Sequence, residues 1–197
     1  MSTTNNTSHL HLVIMAGGIG SRFWPMSTPE RPKQFVDVLG TGRTFIQMTV
    51  DRFQGIIPTE NVWVVTSQAY KDIVAEQLPE IPAQNILLEP CRRNTAPCIA
   101  YAAYTLLKRD PLARMVVTPS DHMIDNEELF AETIRNAFDH IEEKDVLMTL
   151  GVVPTRPDTN YGYIQACGGS DVYKNDRPMQ VKTFTEKPDR ELAKVFI

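Results

Sequence analysis

"LHLVIMAGGIGSRFWPMSTPERPKQF", Leu10 to Phe35, decides how the rest of the chain is read. Its first seven residues form a mostly continuous apolar run, the pattern of a strand buried on both faces. Directly after it come three glycines, three prolines and three cations (Arg22, Arg31 and Lys33) within residues 16–35. A strand that opens into a glycine loop is the generic arrangement for holding an anion. Backbone N–H groups without a Cβ in the way can approach a phosphate closely.

Working outward, the same alternation continues. "NVWVVTS" (61–67), "NILLEP" (85–90), "RMVVTPSD" (114–121) and "VLMTLGV" (146–152) are further short apolar runs and are predicted as strands. Between them, "TFIQMTVDRFQGI", "AYKDIVAEQL", "TAPCIAYAAYTLLKRD" and "NEELFAETIRNAFDHIEEK" place apolar residues at helical spacing. Asn126 is the expected N-cap of the last of these, with acids in its first turn. Strand–helix alternation implies an α/β fold with a mainly parallel sheet and helices on both faces. After residue 151 the pattern changes. "YGYIQA" and "MQVKTFTEKP" are predicted as strands with no helix between them, an antiparallel extension beside the parallel core. "DRELAKVFI" begins a further helix.

Composition narrows the function classes. The chain has 197 residues, 42% hydrophobic and 22% charged, with a net charge of −4. That is ordinary for a globular domain and disfavours a general nucleic-acid binder. No apolar run approaches the roughly 20 residues of a membrane span. The polar "MSTTNNTSHL" has neither a basic start nor an apolar core, so it does not read as a signal peptide; residues 1–9 are expected to be a disordered leader. Cys91, Cys98 and Cys167 are odd in number and lack metal-type spacing, which fits a reduced, cytoplasmic setting.

Two common glycine loops can be tested against this one. The dinucleotide fingerprint G-x-G-x-x-G starts at Gly18-Ile19-Gly20, but Phe23 stands where the third glycine belongs. That disfavours a nicotinamide-type oxidoreductase. A P-loop needs a Gly-Lys pair, and the chain has none; Lys33 lies well downstream.

The loop resembles the signature of the sugar nucleotidyltransferases, and "FWP" and "PKQF" resemble their mannose-1-phosphate guanylyltransferase branch. Four more segments match that branch in order: "LEPCRRNTAPCIA" (88–100), "TPSDH" (118–122), "GVVPTRPDTNYGYI" (151–164) and "FTEKP" (184–188). The resemblance implies a Rossmann-like fold of the nucleotide-diphospho-sugar transferase type over residues 10–197. It implies transfer of GMP from GTP to mannose 1-phosphate, giving GDP-mannose and pyrophosphate. The sugar phosphate would attack the α-phosphorus in line, a reaction driven by positioning and charge neutralisation.

Residue by residue, the resemblance implies that Gly17, Gly18 and Gly20 contact the nucleotide, that Arg22 grips phosphate oxygens with its planar fork, and that Lys33 supplies a second cation. Asp121, at a strand end, is the implied Mg²⁺ ligand; its bland alternative is a helix cap. Glu89, Asn94 and Thr95 fall near the nucleotide, although Asn94 and Thr95 equally suit capping of the next helix. Gly162, Glu186 and Lys187 are implied in sugar-phosphate binding. His122 receives no role, and Cys91 and Cys98 read as inert thiols.

The family pattern continues to an Asn-Ser-Gly segment and a second metal-binding aspartate that this sequence lacks, so residues 10–197 are expected to be a truncated catalytic domain. The alternatives are a sister enzyme using another base or hexose, and a non-catalytic, nucleotide-binding or regulatory fragment of the same fold. GTP and mannose 1-phosphate are the expected partners, without nucleic acid or membrane; a homo-oligomer is left open.

Overall fold

The computed structural model describes residues 7–20, 23–168 and 177–197. Ser21 and Arg22 therefore lie outside the described residues. Of the expected leader, residues 1–6 also lie outside them, while Thr7–His9 form a short 3-10 turn. The chain divides into two compact units, Met1–Arg135 and Asn136–Ile197.

The first unit is built on four parallel strands: β1 (Leu10–Met15), β2 (Val62–Ser67), β3 (Ile86–Glu89) and β4 (Arg114–Pro119). Their order across the sheet is β3-β2-β1-β4. In register, Val13 pairs with Trp63 on one side and with Val117 on the other. β1 and β2 are buried almost throughout, which is why they read as mostly apolar runs. One face packs Val13, Trp63, Val65 and Leu87 against Cys98, Ala102 and Leu106 of the helix α3 (Thr95–Arg109). By the alternation of strand side chains, Leu12, Ile14 and Val64 point to the other face, where they too are fully buried.

Local chemistry explains the other helices. α1 (Phe45–Asp51) starts at a capping box: Thr44 donates its N–H to the Gln47 side chain at 3.0 Å, while its own side chain accepts from the Gln47 backbone. α2 (Lys71–Gln77) follows a 3-10 turn after β2. α4 (Glu127–Glu143) is capped as its sequence suggests, with the Leu129 N–H donating to Asn126 Oδ1 at 2.9 Å.

In the second unit, β5 (Gly162–Ala166) and β6 (Val181–Glu186) form an antiparallel pair, in agreement with the expected extension. α5 (Arg190–Val195) is capped by the Asp189 carboxylate, which accepts from the Leu192 N–H at 2.8 Å. The expected strand at 146–152 does not form: no strand is assigned there, and Leu147 and Val152 are exposed. A strand needs a ladder partner, and an apolar run cannot by itself supply one.

Candidate functional site

Strand order fixes where a ligand can sit. The chain runs from β1 to β2 to β3 in one direction and then returns to β4 on the far side of β1. The switch point therefore lies beyond the carboxyl ends of β1 and β4, where open α/β sheets bind ligands. β1 delivers the glycine loop to that point, β4 delivers Asp121, and β3 ends at Glu89 nearby.

The loop is tied down from within. Ala16 donates its N–H to Val65 O at 2.8 Å, and its carbonyl accepts from Thr66 Oγ1 at 3.0 Å. Gln34 Nε2 donates to Ala16 O at 3.2 Å and to Gly18 O at 2.8 Å. Ser27 Oγ donates to Gly20 O at 2.7 Å. Among the described residues, none of the backbone N–H groups of residues 17–20 donates a hydrogen bond. Donors without internal partners are what an anion requires.

Gly20 is required by its backbone, whereas Gly17 only packs closely against the end of a side chain. Gly20 has φ +61, and a Cβ there would lie 3.0 Å from Lys33 N. A Cβ on Gly17 would lie 3.3 Å from Glu89 Oε2, so the structure brings Gly17 and Glu89 together.

Lys33 and Asp121 also meet. Lys33 Nζ donates to Asp121 Oδ2 and to its carbonyl, both at 3.4 Å. The same ammonium lies 5.1 Å from the Phe23 ring centroid and 4.9 Å from that of Phe45. Two aromatic faces confine the cation while leaving its charge available. Asp121 thus contacts a cation, and no helix-capping bond from it is present among the described residues. Behind it, the buried Arg52 donates to His122 O at 3.3 Å, approaches Glu127 Oε1 at 3.6 Å and stacks over Phe130. Burial pushes the Arg52 guanidinium pKa down, against the pull of Glu127.

Asn94 and Thr95 begin α3 with exposed side chains. Asn94 holds φ 66 and ψ −165, a conformation that is rare outside glycine, and its side chain makes no capping bond. The capping alternative for Asn94 therefore fails on geometry, and its amide makes no hydrogen bond among the described residues. Cys98 is buried, and burial with the Glu89 charge raises its thiol to about 11, which keeps it protonated and inert.

The sugar-phosphate candidates gather in the second unit. The β5–β6 register sets Gly162 opposite Glu186. A Cβ on Gly162 would lie 2.8 Å from Glu186 Oε2. Lys187 has φ 43, donates its N–H to Tyr161 O at 3.2 Å and places Nζ 3.3 Å from Glu186 Oε1.

Sequence reasoning missed Gln34, Ser27, Thr66 and Arg52, which carry no ligand signature of their own beyond position. Gln34 stood inside the quoted loop as a polar residue between a lysine and a core phenylalanine, and that was the available signal.

A family model described as "Nucleotidyl transferase" matches residues 11–197. A mannose-1-phosphate guanylyltransferase of Klebsiella pneumoniae is 43% identical over 189 residues, covering 94% of this chain and 39% of the relative. One from Escherichia coli gives the same identity and coverage, 43%, 94% and 39%. This chain thus spans less than half the length of the relatives it matches. A solved structure from Thermus thermophilus, described as a mannose-1-phosphate geranyltransferase, superposes with TM-score 0.82 at 28% identity, covering 95% of this chain and 53% of that one.

Proposed function

The chain belongs to the nucleotidyl transferase family, and from that premise we propose that it carries the GMP-transferring chemistry of a mannose-1-phosphate guanylyltransferase. One observation carries the reading: an ammonium and a carboxylate, Lys33 and Asp121, meet at 3.4 Å at the switch point, beside a glycine loop whose amides have no partner among the described residues. The names of the relatives supply the base and the sugar.

The amides of Gly17, Gly18 and Gly20 would donate to non-bridging phosphate oxygens, and Lys33 would offset their charge. Arg22, outside the described residues, would add a planar fork. Glu89, Asn94 and Thr95 would border the nucleotide. Gly162, Glu186 and Lys187 would bind the sugar phosphate, the carboxylate taking hydroxyls and the ammonium the phosphate. An oxygen of mannose 1-phosphate attacks the α-phosphorus of GTP, and the bond from that phosphorus to the bridging oxygen breaks. Pyrophosphate carries the electron pair away. The nucleophile is already an anion, so no general base is needed.

Among the described residues no group of three or more His, Cys, Asp or Glu could enclose a metal. A single half-exposed carboxylate, Asp121, instead fits an Mg²⁺ that arrives on the triphosphate and keeps its waters. When bound, that ion would neutralise phosphate charge.

No described helix is long and apolar enough to cross a membrane. The free thiols of Cys91, Cys98 and Cys167 support a reducing, cytoplasmic compartment.

The test is pyrophosphate release from the protein with Mg²⁺, each nucleoside triphosphate and a panel of hexose 1-phosphates. Release confined to GTP with mannose 1-phosphate is expected. Release with UTP or dTTP and glucose 1-phosphate would assign a sister activity. Nucleotide binding without any release would leave a binding fragment.

A further inference from the structure

A loop binds an anion only if its amides face the ligand and its carbonyls face away, because a carbonyl turned outward repels a phosphate oxygen. In this loop the inward carbonyls are held by side chains. Thr66 and Ser27 each hold one carbonyl, whereas Gln34 holds two, Ala16 O and Gly18 O, on either side of Gly17. The carboxamide is buried, and its NH₂ is the end that can meet two carbonyls, since only that end donates. No other uncharged side chain of this length carries two coplanar donors: Glu offers none, Leu offers none, and Asn is one methylene short.

The position of Gln34 adds a second link. It is the middle residue of the 3-10 turn Lys33–Phe35. Phe35 on one side is fully buried, and Lys33 on the other reaches Asp121. Gly20 lies so close to this turn that a Cβ would meet Lys33 N at 3.0 Å. One short turn therefore anchors in the core, sets the lysine and fixes the loop backbone.

We infer that Gln34 is a positioning residue for phosphate binding: its carboxamide draws the carbonyls of Ala16 and Gly18 inward, so that the amides of residues 17–20 present outward beside Lys33. The inference rests on the nucleotide reading of this loop. Gln34 touches no reacting atom in this scheme and acts through the backbone it holds.

The experiment compares the wild type, Gln34→Leu and Gln34→Asn with Thr49→Val. The last removes a buried hydroxyl that donates to Phe45 O at 2.9 Å, within α1 and without a bond to the loop carbonyls. Affinity for GTP and for pyrophosphate is measured by calorimetry well below each unfolding midpoint. Gln34→Leu is expected to weaken both by about tenfold or more, the scale of unmade hydrogen bonds in a site that must be preorganised. Gln34→Asn should fall between it and the wild type. Thr49→Val should lower the unfolding midpoint and leave both affinities unchanged. Affinities within twofold of wild type in Gln34→Leu overturn the inference. A wild type that binds neither GTP nor pyrophosphate overturns the nucleotide reading instead. The amide resonances of Gly17, Gly18 and Gly20 in the unliganded protein then decide the loop-holding role. Shifts in Gln34→Leu but not in Thr49→Val support it, and unchanged resonances in both reject it.

Discussion

The switch point of the parallel sheet and the β5–β6 hairpin hold their candidate residues by different means. In the first, the backbone is held by buried and part-buried hydrogen bonds: Gln34 to two carbonyls, Thr66 to Ala16, Ser27 to Gly20. In the second, Glu186 and Lys187 are exposed and pair with each other, and what places them is strand register and one positive φ. The proposed ligands would make different demands of the two regions. Triphosphate binding needs several amides fixed together before the ligand arrives, since ordering them afterwards would cost affinity. A sugar phosphate met by one carboxylate and one ammonium tolerates side chains that adjust.

That contrast can be broken most directly at Lys33. Lys33→Ala removes the cation while leaving the Phe23 and Phe45 rings and the turn beneath it. Turnover should fall by about 10²–10³-fold, the scale of losing one charge-stabilising group, with the unfolding midpoint close to wild type. Steady-state pyrophosphate release and a thermal melt check both halves.

A matched pair of glycine substitutions sharpens it. Gly20→Ala puts a Cβ 3.0 Å from Lys33 N at φ +61, against backbone that cannot move aside. It should cost about 2 kcal/mol of stability and weaken GTP binding. Gly162→Ala meets the end of the Glu186 side chain at 2.8 Å, which can rotate away. Its stability should change by less than about 0.5 kcal/mol. Its effect should appear as a severalfold rise in the KM for mannose 1-phosphate. Denaturant melts and kinetics on both variants check the pair; equal stability losses would erase the distinction.

The smallest effect is expected at the opposite, amino-terminal end of the same sheet. Trp63 Nε1 donates to His11 Nδ1 at 3.2 Å, which leaves the proton of His11 on Nε2 to meet Asp110 Oδ2 at 3.1 Å. His9 Nδ1 lies 2.9 Å from both Asp110 oxygens. Burial raises the Asp110 pKa, but the bonds from His9, from His11 and from the Leu112 N–H outweigh it and bring it from 3.8 to about 2. A depressed carboxylate pKa stabilises the fold above its unfolded value and stops doing so as pH falls through the folded one. Between about pH 4 and pH 2 this group should therefore release about 1 kcal/mol, allowing for screening. The acid arm of the stability curve should flatten by that amount in Asp110→Asn. GTP affinity near neutral pH should not change, which separates this end of the sheet from the end proposed to bind nucleotide.

Much of the fold was legible in the sequence because its signals are local. β1 and β2 announced themselves as apolar runs, since a strand covered on both faces has no polar side to show. The helix start at Asn126 followed from a side chain that bonds its own first turn. The segment 146–152 had the same apolar character and formed no strand, because pairing depends on a partner elsewhere in the chain.

The site divides in the same way. The sequence by itself determined which residue types were present: glycines after a strand, Lys33, Asp121, Glu89, and the Gly162, Glu186 and Lys187 set. Only the tertiary structure decided that Lys33 meets Asp121 across 88 positions of sequence. It alone decided that Asn94 stands in a strained conformation without a cap. It alone showed the carbonyls of Ala16 and Gly18 accepting hydrogen bonds from Gln34. The physical reason is that a glycine, a charge or a helix cap is a property of a residue and its near neighbours. A hydrogen bond between distant strand ends depends on strand order, which no local pattern encodes.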